Sequence, residues 1–145
     1  MVIDVEHLCG EVQRLREGGI SVTPENLKIS DKATICMPYH KLLDCLEEDR
    51  LAGKKFGSTR RGIAPVYADK YMKKTLRMEE LLELENLAER VGDIAEWKNL
   101  TVSGGYGHEP VQAAALMDWL RQYGAPWRDY ICDTTAFLSE AADAG

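Results

Sequence analysis

Between Gly57 and Gly62 stand Ser58, Thr59, Arg60 and Arg61, two hydroxyls and two guanidinium groups on a run short enough for all four to meet one anion. Arginine presents a planar fork that matches a carboxylate or a phosphate, and hydroxyls add short donors. The bracketing glycines allow the backbone to curl close to a ligand. Pro65 follows, and proline is favoured at the first position of a helix. The pattern therefore predicts a helix from Pro65 to about Lys73 whose positive end points back at the loop. The chemistry on offer is phosphate recognition, and a flexible basic loop without a ligand is the alternative that residue types alone leave open.

Charge supports the first reading. From Arg50 to Arg77 the chain carries nine Lys and Arg against a single acid, Asp69, in a 145-residue protein of net charge −6 with 18 basic and 24 acidic residues. The remainder sums to about −14. Like charges crowded in this way cost stability unless an anion relieves them. Nucleic acid is disfavoured as that anion by the overall acidity, and because only Phe56, Tyr67 and Tyr71 interleave with the basic residues,.

The run GKKFGSTRRGIAPVYADK resembles the corresponding loop of the adenylosuccinate synthetase family. The segments VIDVEHLCGEVQRLREGGI, PENLKISDKA and MPYHKLLDCLEE stand in that family's order and spacing. The resemblance is specific from Val2 to about Leu82 and weaker from there to Ala144. It implies an enzyme that joins IMP to L-aspartate at the expense of GTP. It places Thr59, with Ser58 beside it, where the family holds the 5′-phosphate of IMP, and Arg61 on the arginine of the same loop. Lys73 falls where the family usually has an arginine that crosses a dimer interface to the other subunit's IMP phosphate. Lysine keeps that charge and loses the bidentate fork. Ser58, Arg60, Ala64 and Val66 are further departures. The family's glycine-rich phosphate loop with its catalytic aspartate has no counterpart here, nor has its catalytic histidine. Its glutamine loop, aspartate-binding arginines and Lys-Asp guanine motif are also without match. The resemblance thus implies an internal third of a cytoplasmic, homodimeric ligase, with no catalytic residue and no metal ligand of its own. GTP and Mg2+ would be held elsewhere, and the piece would be inactive alone; a standalone anion- or nucleic-acid-binding module, or a degenerate structural remnant, is the alternative.

The elements that must position the loop are mostly helical. Asp4 caps a helix on Val5, Leu8, Cys9, Val12 and Leu15, which Gly18-Gly19 stops. Thr23 to Asn26 reads as a turn, Leu27 to Ser30 as a short strand, and Ala33 to Met37 as extended or irregular. Pro38 opens a second helix with Leu42, Leu43, Cys45 and Leu46 inward and Glu47, Glu48, Asp49 and Arg50 outward. His40 in its first turn has no nucleophile or carboxylate partner in sequence, so it reads as structural, and His7 reads as surface. Met78 to about Val91 is an amphipathic helix on Leu81, Leu82, Leu84 and Leu87, Gly92 to Gly107 is less regular, and SGGYG at 103–107 is a loop without the lysine of a phosphate loop. A helix follows from Glu109-Pro110 to Gly124, with Trp119 and Trp127 filling core or interface. A last one runs from Asp133 to Ala144 with Phe137, Leu138 and Ala141 inward. The expected fold class is mainly α with a short strand region, a fragment of an α/β enzyme whose central sheet lies largely outside the chain. It is organised as a helix-strand-helix region 1–50, the basic loop and helix 51–77 and a helical region 78–145. Cys9, Cys36, Cys45 and Cys132 lack CxxC spacing and read as structural thiols. No apolar run is long enough to cross a bilayer, and no basic leader precedes a hydrophobic stretch.

Overall fold

The computed structural model describes residues 1–143, and they are predominantly helical. Strand β1, Val2–Ile3, leads into helix α1, Val5–Glu17, which Asp4 caps by accepting the His7 amide at 3.1 Å. After the turn at Thr23, β2 (Ile29–Ser30) and β3 (Thr34–Ile35) form. They belong to two separate two-stranded parallel sheets. Val2 and Ile3 pair with Thr34 and Ile35, while β2 pairs with a late strand, β4, Ile131–Cys132. Among the described residues the paired strands are four dipeptides.

Helix α2, Pro38–Leu51, starts at proline as expected. Its N-terminus is closed by His40, whose Nδ1 accepts the Met37 amide at 2.9 Å, the part a Glu side chain commonly plays at that position,. Its inward face differs from the expectation. Leu43 is buried, but so are Asp44 and Glu48, and Glu48 does not point outward. Helix α3 is Ile63–Tyr71, so Pro65 is its third residue and not its first. Gly62, with φ +77°, makes the turn into the helix two residues earlier than proline suggests.

The segment Met78–Leu87 is a tight 3-10 run broken at Glu83, and Leu82 is half exposed on it. Beyond it a regular helix α4, Ala88–Val102, covers most of the stretch read as irregular. Its inward face is Val91, Ile94, Ala95, Lys98 and Val102, and the lysine in that row breaks the apolar pattern. Helix α5 begins at Ala113, not at Glu109, because Val111 is held extended by two hydrogen bonds with Asn99, at 2.8 and 2.9 Å. It runs to Trp119, widens into a π turn over Leu120–Gly124 and tightens over Ala125–Tyr130. Trp127 is buried and Trp119 half-buried.

Helix α6, Thr134–Asp143, is capped by Asp133, which accepts the Thr135 and Ala136 amides. Phe137 and Leu138 are 45 % and 64 % exposed and Ala141 is exposed as well, so the face expected to turn inward faces solvent. Ala144 lies outside the described residues. The core gathers Val5, Ile35, Met37, Tyr39, Leu76, Met78, Leu81 and Leu120, uniting the N-terminal third with the later helices. All four cysteines are free, and no helix among the described residues is long and apolar enough to span a membrane.

Candidate anion-binding site

The basic loop runs over residues 52–62, from the end of α2 to the start of α3. Two acids one turn apart on α2 hold its inner side. Glu48 Oε1 accepts the backbone N–H of Phe56 at 3.1 Å and of Ser58 at 3.2 Å. Asp44 accepts the Ser58 hydroxyl at 2.6 Å on one oxygen and the Gly62 N–H at 2.8 Å on the other. The Ser58 oxygen in turn accepts the Arg60 amide at 3.1 Å, and Arg60, itself at φ +57°, pairs with Asp49 at 2.8 Å. Below the loop the Cys36 thiol donates to the Arg61 carbonyl. Burial, before the neighbouring acids, pushes that thiol up to about 11, so it stays protonated and remains a donor.

Gly62 fixes the geometry. A Cβ there would lie 2.7 Å from backbone atoms of His40 and Lys41, and its φ is in the left-handed region,. Only glycine lets the loop's end touch the first turn of α2.

The four residues singled out from the sequence fall into three situations. The Ser58 side chain is engaged with Asp44. Thr59 and Arg61 are exposed, and among the described residues neither side chain has an ion-pair or hydrogen-bond partner. Lys73 lies past the far end of α3, also at a positive φ of 58°. It opens on a different cleft, of about 1010 Å³, shared with Lys32, Lys70, Arg77 and Arg90 and with the acids Glu79, Glu80 and Glu83. Thr59 and Arg61 are thus both exposed on the loop, and Lys73 lines a cleft to which neither contributes.

Beneath α3 is a network that sequence reasoning missed. His40 Nε2 lies 2.9 Å from Asp69 Oδ2, and Lys98 bonds to the same oxygen, with all three residues buried. Because Nδ1 of His40 accepts the Met37 amide, the ring proton is on Nε2 and is donated to Asp69,. Burial lowers the histidine's pKa, against the raising effect of Asp69, so the ring is held neutral,. Burial likewise lowers that of Lys98, whose Nζ sits 4.4 Å from the centre of the Trp97 ring,. Asp69 was legible as the one acid in a basic stretch, and Lys98 had no signal beyond breaking an apolar row.

Asp69 and Lys98 also line a cleft of about 700 Å³ with Phe56, Pro65, Met72 and Trp97. Among the described residues no three His, Cys, Asp or Glu side chains converge to hold a metal. The site thus offers hydrogen-bond donors and positive charge to an anion.

Comparison with known proteins gives a consistent result. The family model described as adenylosuccinate synthetase matches residues 1–145. The chain is 39% identical over its whole length to the adenylosuccinate synthetase of Caldicellulosiruptor bescii, covering 34% of that protein, and 37% identical to that of Lactococcus lactis, covering 33%. It is similar in structure to the fully ligated adenylosuccinate synthetase from Plasmodium falciparum, with a TM-score of 0.82 over 99% of this chain and 32% of the other, at 25% identity. The chain spans about a third of the length of the relatives it matches. The match continues past Leu82, where likeness visible in the residues fades.

Proposed function

The chain belongs to the adenylosuccinate synthetase family, and on that premise we propose that it supplies the IMP 5′-phosphate recognition of a GTP-dependent ligase. In that reaction the γ-phosphoryl group of GTP is transferred to the 6-oxygen of IMP, and the amine of L-aspartate then displaces phosphate. Such chemistry depends on positioning and on neutralising charge. This chain contributes positioning. Thr59 Oγ1 and the Arg61 guanidinium are the donors offered to the phosphate, Ser58 shapes the loop beside them, and Lys73 reaches the phosphate bound to the other subunit of a homodimer. GTP and Mg2+ are held by other parts of the enzyme.

The observation that carries this reading is the division of labour within the loop. Ser58 and Arg60 are committed to partners inside the chain, whereas Thr59 and Arg61 are presented outward without partners among the described residues. Two donors two residues apart, without partners on a braced loop, suit a phosphate. Titration of the purified chain with IMP should show binding that weakens about tenfold or more in Thr59→Ala and in Arg61→Ala. Equal affinity in both variants would remove the assignment. The same chain given IMP, GTP and aspartate should form no adenylosuccinate, and measurable product would contradict a recognition-only role.

A further inference from the structure

Asp44 and Glu48 lie on α2 at a spacing of four, only 8 % and 4 % exposed, in a helix whose inward face would ordinarily be apolar. Buried carboxylates are retained only with partners, and here the partners are four donors of one loop: the amides of Phe56, Ser58 and Gly62 and the Ser58 hydroxyl. These are the same kinds of donor that a phosphate would take. The chain's own carboxylates therefore occupy the loop's inward donors and leave the outward ones, Thr59 and Arg61, as the free set.

We infer that Asp44 and Glu48 are positioning residues of the phosphate loop, fixing it in its binding conformation before a ligand arrives. The inference rests on the phosphate reading above for its purpose, though not for its geometry. A run containing Gly53 and Gly57 is intrinsically mobile, and any order it lacked would have to be imposed by the ligand at the cost of affinity. The two acids remove that cost. They bind the loop at three places, residues 56, 58 and 62, on either side of Thr59 and Arg61, so a hydroxyl and a guanidinium two residues apart project from a braced arch. The Cys36 thiol on the Arg61 carbonyl and the contact of Gly62 with the first turn of α2 close the arch at its other end. Because the acids are buried behind the loop and hydrogen-bonded to it, their charge is partly met before it reaches the anion on the far side.

The test uses the intact chain and two independent readouts. Hydrogen exchange at the Phe56, Ser58 and Gly62 amides, with tryptic cleavage after Lys54, Lys55, Arg60 and Arg61, reports the loop without any ligand. Calorimetric titration with IMP reports the site. Glu48→Ala should speed exchange and cleavage in the loop about tenfold and raise the Kd for IMP by a similar factor, with thermal stability little changed. Glu48→Gln, which keeps an acceptor oxygen, should recover most of both. Ser58→Ala, which removes a single hydroxyl, should weaken IMP binding, and combined with Asp44→Ala it should cost less than the sum of the two single variants, since they share the Ser58–Asp44 contact,. Loop exchange unchanged in Glu48→Ala would overturn the inference, as would faster exchange that appears only together with global unfolding. If the loop loosens as described but the unaltered chain binds no IMP, the positioning role stands and the phosphate reading falls.

Discussion

At the scale of single residues, the histidine that invites a catalytic role is held in a structural one. His40 is wholly buried, accepts from Met37 on one nitrogen and donates to Asp69 with the other. The bond from Met37 needs the neutral ring, because a protonated Nδ1 has no lone pair to accept with,. Burial lowers its pKa from the ordinary 6.5, whereas in the unfolded chain it titrates normally. Below pH 6.5 the unfolded state therefore binds more protons than the folded one, so the stability due to this residue is complete above that pH and is lost as pH falls. Denaturation of the chain should show an acid-side slope, up to about 1.4 kcal/mol per pH unit for this one proton, that His40→Gln removes. Gln retains an acceptor for Met37 and a donor for Asp69 but does not titrate. An identical slope in the variant would assign the acid sensitivity to other groups.

At the scale of elements, α3 begins and ends on left-handed residues with opposite consequences. At Gly62 the conformation suits the residue, and the tight contact with the backbone of α2 excludes any larger one. At the other end, Lys73 and Lys74 donate to the carbonyls of Lys70 and Asp69, the arrangement that usually places glycine where Lys73 stands,. Gly62→Ala should destabilise the chain by about 3 kcal/mol, from backbone strain and overpacking together. Lys73→Gly should stabilise it by about 0.5–1 kcal/mol. Urea denaturation of the two variants checks both signs. That a lysine stands in this unfavourable position accords with a use for its charge.

The same elements show what the sequence makes legible. Helices α1 and α2 announce themselves through a cap, a proline and an apolar row, and the Gly57–Gly62 loop through its glycines and paired donors. Helix α4 is hidden because Gly92 sits inside it and Lys98 occupies an inward place, buried for the sake of Asp69. Asp44 and Glu48 are hidden for a similar reason: periodicity assigns acids to solvent, and only the folded loop supplies the donors that bring them in. Helix α6 fails in the opposite sense. Its apolar face is real, but Phe137, with Lys28 over its ring, and Leu138 stay largely exposed. Periodicity fixes the face of a helix, not what lies against it.

At the scale of the whole molecule, the placement of the proposed phosphate donors bears on assembly. Thr59 and Arg61 precede α3 and Lys73 follows it, and a nine-residue helix separates its ends by about 13 Å,. Lys73 moreover opens on a cleft lined by Lys32, Arg77 and Arg90, to which neither Thr59 nor Arg61 contributes. In the proposed site, Lys73 of the same chain thus stands at the opposite end of α3 from Thr59 and Arg61. If Lys73 serves the phosphate of that site from a second copy, each site in a twofold pair borrows one lysine from the other chain. Such crossing has a specific signature. Thr59→Ala and Lys73→Ala should each weaken IMP binding alone. When the two variants are mixed and allowed to exchange subunits, every mixed dimer regains one site with both native residues, so about a quarter of all sites should recover native affinity. Titration of the mixture against each variant alone reads this directly. Recovery would establish that the basic loop and the end of α3 belong to one site shared between two chains, whereas additive loss would assign Lys73 to a separate anion in its own cleft.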